Sequence, residues 1–388
     1  MTARKRAGKR GNGEGSVYQR AGDGRWVAMI DLGYGEGRRR RRYFYGRTRA
    51  EAARKLRAAL DARDTGQLIA AGSCTVTEWF TTYMRDVAKP RVRPLTYERY
   101  ARDVRLHIEP AIGRVRLDKL QPAHLVALYN AKRAAGLSPN SIRHLHAVIR
   151  RALAVAVRWR LVAVNVATLV DSPTVPHHEV VPLSVAEAHR FLAAARGDRM
   201  AARWAVGLAL GLRQGETLGL QWDDVDLENG FVRVRRTLQR HAGAGLVFTE
   251  PKTPRSRRVV ALPSQLMAAL SEHREQQGKE REIAAELWTE TGCVFTTSVG
   301  GPVDPSNDYR AFRHLLNAAG LRPVRLHDLR HTAASLLLAQ NVPARVVMEV
   351  LGHSQISLTM NTYTHVAPQL SREAANRMGD ALWGEADR

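Results

Sequence analysis

The chain has 388 residues, room for two or three domains of which at least one can bury a sizeable core. It is 44% hydrophobic and 25% charged. No apolar run reaches the roughly 18 residues of a membrane-spanning helix, and the basic N-terminus lacks the apolar stretch of a secretory signal. Cys74 and Cys293 lie far apart, which fits a reducing cytoplasm and argues against a disulfide framework or a cysteine zinc site. Sixty Lys and Arg against 37 Asp and Glu give a net charge of +23. That excess points to a polyanionic partner, nucleic acid before a membrane surface.

Residues 1–65 hold 18 Lys and Arg against seven Asp and Glu, a net of +11. Three runs rich in β-branched and aromatic residues, 15–20, 25–31 and 40–45, are punctuated by Gly22-Asp-Gly24 and the glycines between 33 and 37. This predicts a three-stranded meander, with Thr48 capping a helix over 50–61. A small sheet carrying arginine on one face can lie in a DNA groove, and Arg40, Arg41 and Arg42 are its candidate DNA contacts. The alternative is a solvated basic sheet.

Residues 73–170 switch to helical periodicity over 76–87, 94–107, 122–135 and 139–159, three of these opening at or near proline. Arg93, Arg99, Arg102, Arg105, Arg143, Arg150 and Arg151 make this all-α unit basic, and Arg99, Arg143 and Arg150 are its candidate DNA contacts. Residues 171–178, with two prolines and little periodicity, read as a linker. Residues 179–388 combine helices over 185–195, 200–211 and 264–288 with strands over 231–235 and 257–262. The Pro251-Lys-Thr-Pro254 turn lies between the two strands.

Four places in this last unit gather groups suited to a phosphate. Arg213 sits in Gly211-Leu-Arg-Gln-Gly-Glu-Thr-Leu-Gly-Leu220, after a helix and before a tight re-entry at Gly215. Lys252 occupies the turn before Arg257 and Arg258. His327-Asp-Leu-Arg-His331 places His327 and Arg330 three apart, on one helical face. Leu351-Gly-His353 is followed ten residues later by Tyr363. His327 and His331 mimic the two-histidine spacing of zinc proteases. Asp328 stands where that motif needs its general-base Glu, however, and Arg330 would set a cation beside the metal.

Taken together, these motifs resemble the tyrosine recombinase (phage integrase) family. The resemblance rests on the segment 207–226 with Arg213, Glu216 and Trp222-Asp-Asp-Val-Asp226, on His327-x-x-Arg330, on Leu351-Gly-His353 and on Thr362-Tyr-Thr-His365. It implies a multidomain, mainly α fold with small β parts. An N-terminal three-stranded sheet plus helix (1–65) would be an arm-type DNA-binding domain. A helical core-binding, SAM-like domain (73–170), the linker (171–178) and a mixed α+β catalytic domain (179–388) would follow.

The implied activity is site-specific DNA recombination through a 3′-phosphotyrosine, integrating or excising a phage or mobile element. Its active set would be Arg213, Lys252, His327, Arg330, His353 and the nucleophile Tyr363, with Glu216 supporting. Two arginines stay charged at any relevant pH and grip phosphate oxygens in a bidentate way, in the role a metal ion fills elsewhere. No metal, nucleotide or other cofactor is therefore expected, and no G-x-x-x-x-G-K-[ST] loop occurs. Expected partners are double-stranded DNA attachment sites, further copies in a homotetramer on DNA, and DNA-bending or excision factors, with no membrane. The expected location is the bacterial cytoplasm, associated with the nucleoid. The pattern Leu370, Ala374, Met378, Ala381 and Leu382 forms one more helix, packed on a neighbouring protomer or on its own domain. A type IB topoisomerase and a DNA-binding regulator without catalysis are the rival readings. The arm-like sheet disfavours the first, and six competent residues at the six positions disfavour the second.

Overall fold

Alternating side chains along residues 26–31 set the two faces of an antiparallel sheet in the order β1-β2-β3, formed by β1 (Ser16–Gln19), β2 (Trp26–Gly35) and β3 (Arg38–Gly46). The computed structural model describes residues 15–35, 38–64, 74–176, 180–251, 256–352 and 378. The chain divides into two compact units at residues 176/177. Thr48 caps α1 (Arg49–Asp64) by accepting the Glu51 N–H at 3.2 Å. Ala28, Ile30, Ala52, Leu56 and Ala59 form the core between sheet and helix, with Val17, Trp26 and Phe44 packed against it.

The register divides the candidate arginines between the two faces. Arg42 pairs with Ile30 and lies 5.5 Å from the Phe44 ring, on the face that packs on α1. Arg41 pairs with Asp31 and has the opposite parity, together with the exposed Tyr43 and Tyr45. Tyr18 and Tyr45 flank the buried Val27 in register, and the Arg20 guanidinium lies 5.7 Å from the Tyr45 ring. The open face is thus tyrosine-rich with arginine at its margin. Arg40 lies within β3.

The helical segment opens on α2 (Val76–Thr82), where Thr75 and Glu78 complete a reciprocal cap, and continues into wider turns over Tyr83–Ala88. Next come α3 (Pro94–Asp103), wider turns again over Val104–Ile108, α4 (Glu109–Ile112), α5 (Pro122–Ala134) and α6 (Pro139–Arg158). Ile142, Leu145, Ile149, Ala152, Leu153 and Ala156 of α6 are buried in one core with Trp79, Phe80 and Leu125. Arg143 and Arg150, two turns apart, point out from the other side. Arg99 reaches toward Asp103 at 3.9 Å.

The second unit places α7 (Val185–Ala194), α8 (Ala201–Ala209) and the short α9 (Gln214–Leu218) ahead of its strands. β4 (Val225–Asp226), β5 (Phe231–Val234) and β8 (Arg258–Ala261) form one antiparallel sheet in the order β4-β5-β8. β6 (Thr237–His241) and β7 (Gly245–Thr249) form a separate hairpin. Helices α10 (Ser264–Ala284), α11 (Pro305–Ala318), α12 (Asp328–Ala339) and α13 (Ala344–Leu351) complete the described part. The hairpin, α11 and α13 add to the elements predicted from periodicity. Among the described residues no helix is long and apolar enough to cross a membrane.

Candidate active site

The chain reverses at Gly211 between α8 and α9 with a left-handed φ of 59°, and a Cβ there would collide with the Leu351 side chain. This turn sets Arg213 at the start of α9 in extended backbone. Glu216 then serves as both helix cap and ion-pair partner. Its Oε2 accepts the Arg213 backbone N–H at 3.1 Å, and its Oε1 accepts Arg213 Nη1 at 2.6 Å. The Glu216 side chain is 1% exposed, whereas that of Arg213 is 38% exposed, so the carboxylate holds the guanidinium from beneath.

A second arginine reaches the same carboxylate. Arg258 Nη2 donates to Glu216 Oε2 at 3.1 Å, Nη1 to the Ser256 carbonyl at 3.1 Å, and Nε to the Val350 carbonyl at the end of α13 at 2.7 Å. Burial pushes the Glu216 carboxyl up, but Arg258 first and then Arg213 outweigh it and hold the group below its ordinary value. Glu216 is therefore ionised at neutral pH.

Arg330 completes the cluster from α12. Its Nη1 donates to the Gly211 carbonyl at 2.8 Å, while its buried Nη2 has no hydrogen-bond partner among the described residues. Burial, then repulsion from Arg213, bring its guanidinium down to about 9; Glu216 opposes this and Arg258 adds to it. Among the described residues, Arg213 and Arg258 thus bond Glu216, Arg330 feels the same carboxylate electrostatically, and Arg330 offers an unused buried donor. Such a cluster is short of an anion.

His327 immediately precedes α12 with helical backbone, and its carbonyl accepts the Arg330 N–H at 3.1 Å. It therefore sits at the helix entrance, a turn before Arg330, rather than within the helix as its spacing suggested. Its ring meets that of His331 edge-on at 5.3 Å between centroids. Burial first, then His331, Arg330 and Arg213, push His327 down to about 4, with Asp328 opposing. The residue as a whole is exposed to solvent. The imidazole is neutral at pH 7.

The structure thus brings Arg213, Glu216, His327 and Arg330 into one electrostatically coupled group. Lys252, His353 and Tyr363 lie outside the described residues. Glu250 and Arg257, flanking the Lys252 turn, line a cleft of about 370 Å³ with Arg235, Arg236, Phe248 and Thr249. Gly352, with φ 67° at the end of α13, precedes His353 and offers its carbonyl to Arg213 Nη2 at 3.4 Å.

Reading the motifs missed two contributors. Arg258 shares the inward parity of the buried Val260 in β8, and a charge at an inward strand position was the available signal. Gln214 fixes the other side of α9, since its Nε2 donates to the Pro305 carbonyl at 2.7 Å and to Asp308 Oδ2 at 2.9 Å. Asp308 is itself held by Arg203 in a two-pronged pair of 2.5 and 2.7 Å. No local pattern links residues 203, 214 and 308.

Residues 182–369 match the phage integrase family, and residues 75–133 match the phage integrase N-terminal SAM-like domain. An integrase of Saccharopolyspora erythraea is 30% identical, covering 96% of this chain and 98% of its own. A XerC-like tyrosine recombinase of Caldanaerobacter subterraneus is 30% identical over 94% of this chain and 98% of its own. Among solved structures, the Tn1549 transposon integrase in complex with a circular intermediate DNA superposes with a TM-score of 0.65 at 22% identity, over 79% of this chain and 100% of that one. A lambda integrase tetramer bound to a Holliday junction gives 0.57 at 16% identity, over 91% and 96%. The chain belongs to the phage integrase family of tyrosine recombinases.

Proposed function

We propose that the chain is a site-specific DNA recombinase that integrates or excises a phage or mobile element, cutting one strand at a time with Tyr363 as nucleophile. The observation that carries this reading is the arginine cluster of Arg213, Arg258 and Arg330 around the carboxylate Glu216, with the buried donor of Arg330 unused among the described residues. A scissile phosphate supplies the missing anion, and its non-bridging oxygens take donors from Arg213 and Arg330. The Tyr363 oxygen attacks phosphorus, the bond to the 5′-oxygen breaks, and a 3′-phosphotyrosine holds the strand. Lys252 gives its proton to the departing 5′-oxygen. His327, neutral at pH 7, donates to the phosphate or accepts the Tyr363 proton, and His353 donates alongside it. Attack by the 5′-hydroxyl of the partner strand on the phosphotyrosine then restores Tyr363. The two guanidiniums supply the charge stabilisation, so the scheme needs no metal or nucleotide.

In this reading residues 1–65 contact arm sites, 73–170 grip the core site, 171–178 link, and 179–388 cut. The homotetramer forms on double-stranded attachment sites, with bending or excision factors setting direction, in the bacterial cytoplasm at the nucleoid. Arg41 on the open sheet face, and Arg99, Arg143 and Arg150 in the helical segment, are the proposed phosphate contacts; Arg42 packs on Phe44 and is the weaker candidate. The test is a nicked duplex carrying the core sequence found at the element's own junctions, whose cut fragment diffuses away. The wild-type chain should form a protease-sensitive covalent adduct, and Tyr363→Phe should form none. An adduct that persists in Tyr363→Phe removes the nucleophile assignment.

A further inference from the structure

We infer that Arg258 is a positioning residue for strand cleavage, locking Glu216, and through it Arg213, to the end of α13 that leads into His353. The inference rests on the proposed roles of Arg213 and His353. Arg258 opens β8, six residues after Lys252, and its side chain is 7% exposed. It is too enclosed to be an ordinary surface cation.

Its three nitrogens bond three separate segments. Nη1 closes on the Ser256 carbonyl next to the turn, Nη2 on Glu216 of α9, and Nε on the Val350 carbonyl of α13. Val350 lies two residues before Gly352, whose carbonyl receives Arg213 Nη2 at 3.4 Å. The same carboxylate that Arg258 holds takes Arg213 Nη1 at 2.6 Å. A closed circuit therefore runs from Arg258 to Glu216, to Arg213, to Gly352, along the chain to Val350 and back to Arg258. Both ends of the candidate site are fixed by one planar fork. An ammonium on a flexible stem presents donors from a single point and does not span Glu216 and Val350 in this way.

Arg258 also sets the charge on Glu216. The charged groups acting on that carboxylate among the described residues are Arg258 from β8, Arg213 at the start of α9 and Arg330 from α12. Of these Arg258 does most to hold the carboxyl ionised against burial. Removing it leaves a buried carboxylate with one fewer cation, and a group so placed takes up a proton at higher pH.

The experiment compares full-length wild type, Arg258→Lys, Arg258→Met, Glu216→Gln and Arg258→Met/Glu216→Gln. Duplex affinity and single-turnover adduct formation are measured on the nicked core duplex between pH 5 and 8. Arg258→Lys should bind the duplex within about threefold of wild type and cleave on the order of 10- to 100-fold more slowly, as when a group orienting an active-site residue is lost. Arg258→Met should gain an acid limb, its rate falling as pH drops through the raised Glu216 value. The double variant should lose that limb. A merely structural role would slow cleavage equally at every pH and would add to the effect of Glu216→Gln. Either that result or wild-type cleavage by Arg258→Lys overturns the inference. If Arg258→Met does not fold, the same pH series on the neutral Arg258→Gln decides it, a flat profile counting against. Failure of the catalytic reading shows separately, as an adduct in Tyr363→Phe.

Discussion

The buried pair Arg203–Asp308 gives the sharpest stability prediction, because both side chains are nearly sealed from solvent, at 2% and 1% exposure. Asp308 accepts two bonds from Arg203, at 2.5 and 2.7 Å, and a third from Gln214 at 2.9 Å. Asp308→Ala removes both carboxylate oxygens, and with them all three bonds, and strands a guanidinium that lies 4.3 Å from the Trp204 ring. Breaking one partner of such a pair costs about 3–5 kcal/mol, most of it the uncompensated buried charge. In a unit of this size that lowers the melting temperature by roughly 6–20 °C. Calorimetry on the full-length chain should show this loss in the transition of the second unit. Replacing the pair with apolar side chains, Arg203→Met with Asp308→Leu, should recover most of it, because neither charge remains to be stranded. Cleavage should also fall in Asp308→Ala, since Gln214 adjoins Arg213. A loss below about 1 kcal/mol in Asp308→Ala, or a double variant as unstable as the summed singles, would refute the reasoning.

Three further outcomes are expected. Gly211→Ala combines a left-handed backbone with a collision at Leu351 and displaces the carbonyl that holds Arg330; it should cost about 2 kcal/mol or more and abolish adduct formation. His327 should titrate near 4 in the free protein by NMR and move upward when duplex supplies a phosphate. Because its folded value lies below its unfolded one, its stability contribution is present above the ordinary histidine range and is lost as pH falls from about 6.5 toward 4. His327→Gln should flatten the acid side of the stability profile, and an unchanged slope would count against this account. EDTA should leave adduct formation on the nicked duplex at the wild-type rate; inhibition reversed by added metal would overturn the metal-free scheme.

Much of this was legible from spacing and periodicity. The helices over 76–87, 122–135 and 139–159 carry strong apolar stripes with proline at or near two of their starts, and each forms within a residue or two of its expected ends. Arg213, Glu216 and Arg330 were readable because each sits in a short local motif. What escaped was set by pairing over long separations. Arg258 differs from its neighbour Arg257 only in strand parity, and parity means nothing until β8 has been paired with β5. Arg41 and Arg42 show the same limit, since adjacent identical residues point to opposite faces once β2 fixes the register. The β6–β7 hairpin mixes charged and apolar residues without a clean period, so only its turn glycines, Gly243 and Gly245, marked it.

Three arginines around Glu216 also bear on how long the protein survives when it is not on DNA. Mutual repulsion among Arg213, Arg258 and Arg330, and the idle donor on Arg330, weigh on the free fold and are relieved when a phosphate arrives. Whatever binds only the folded form stabilises it by mass action, so on the proposed reading core DNA should raise the melting temperature of the second unit. Limited proteolysis of the second unit should therefore be slower with core duplex present than without it. The charge imbalance that suits the site to a phosphate thus also makes the free fold the less stable form.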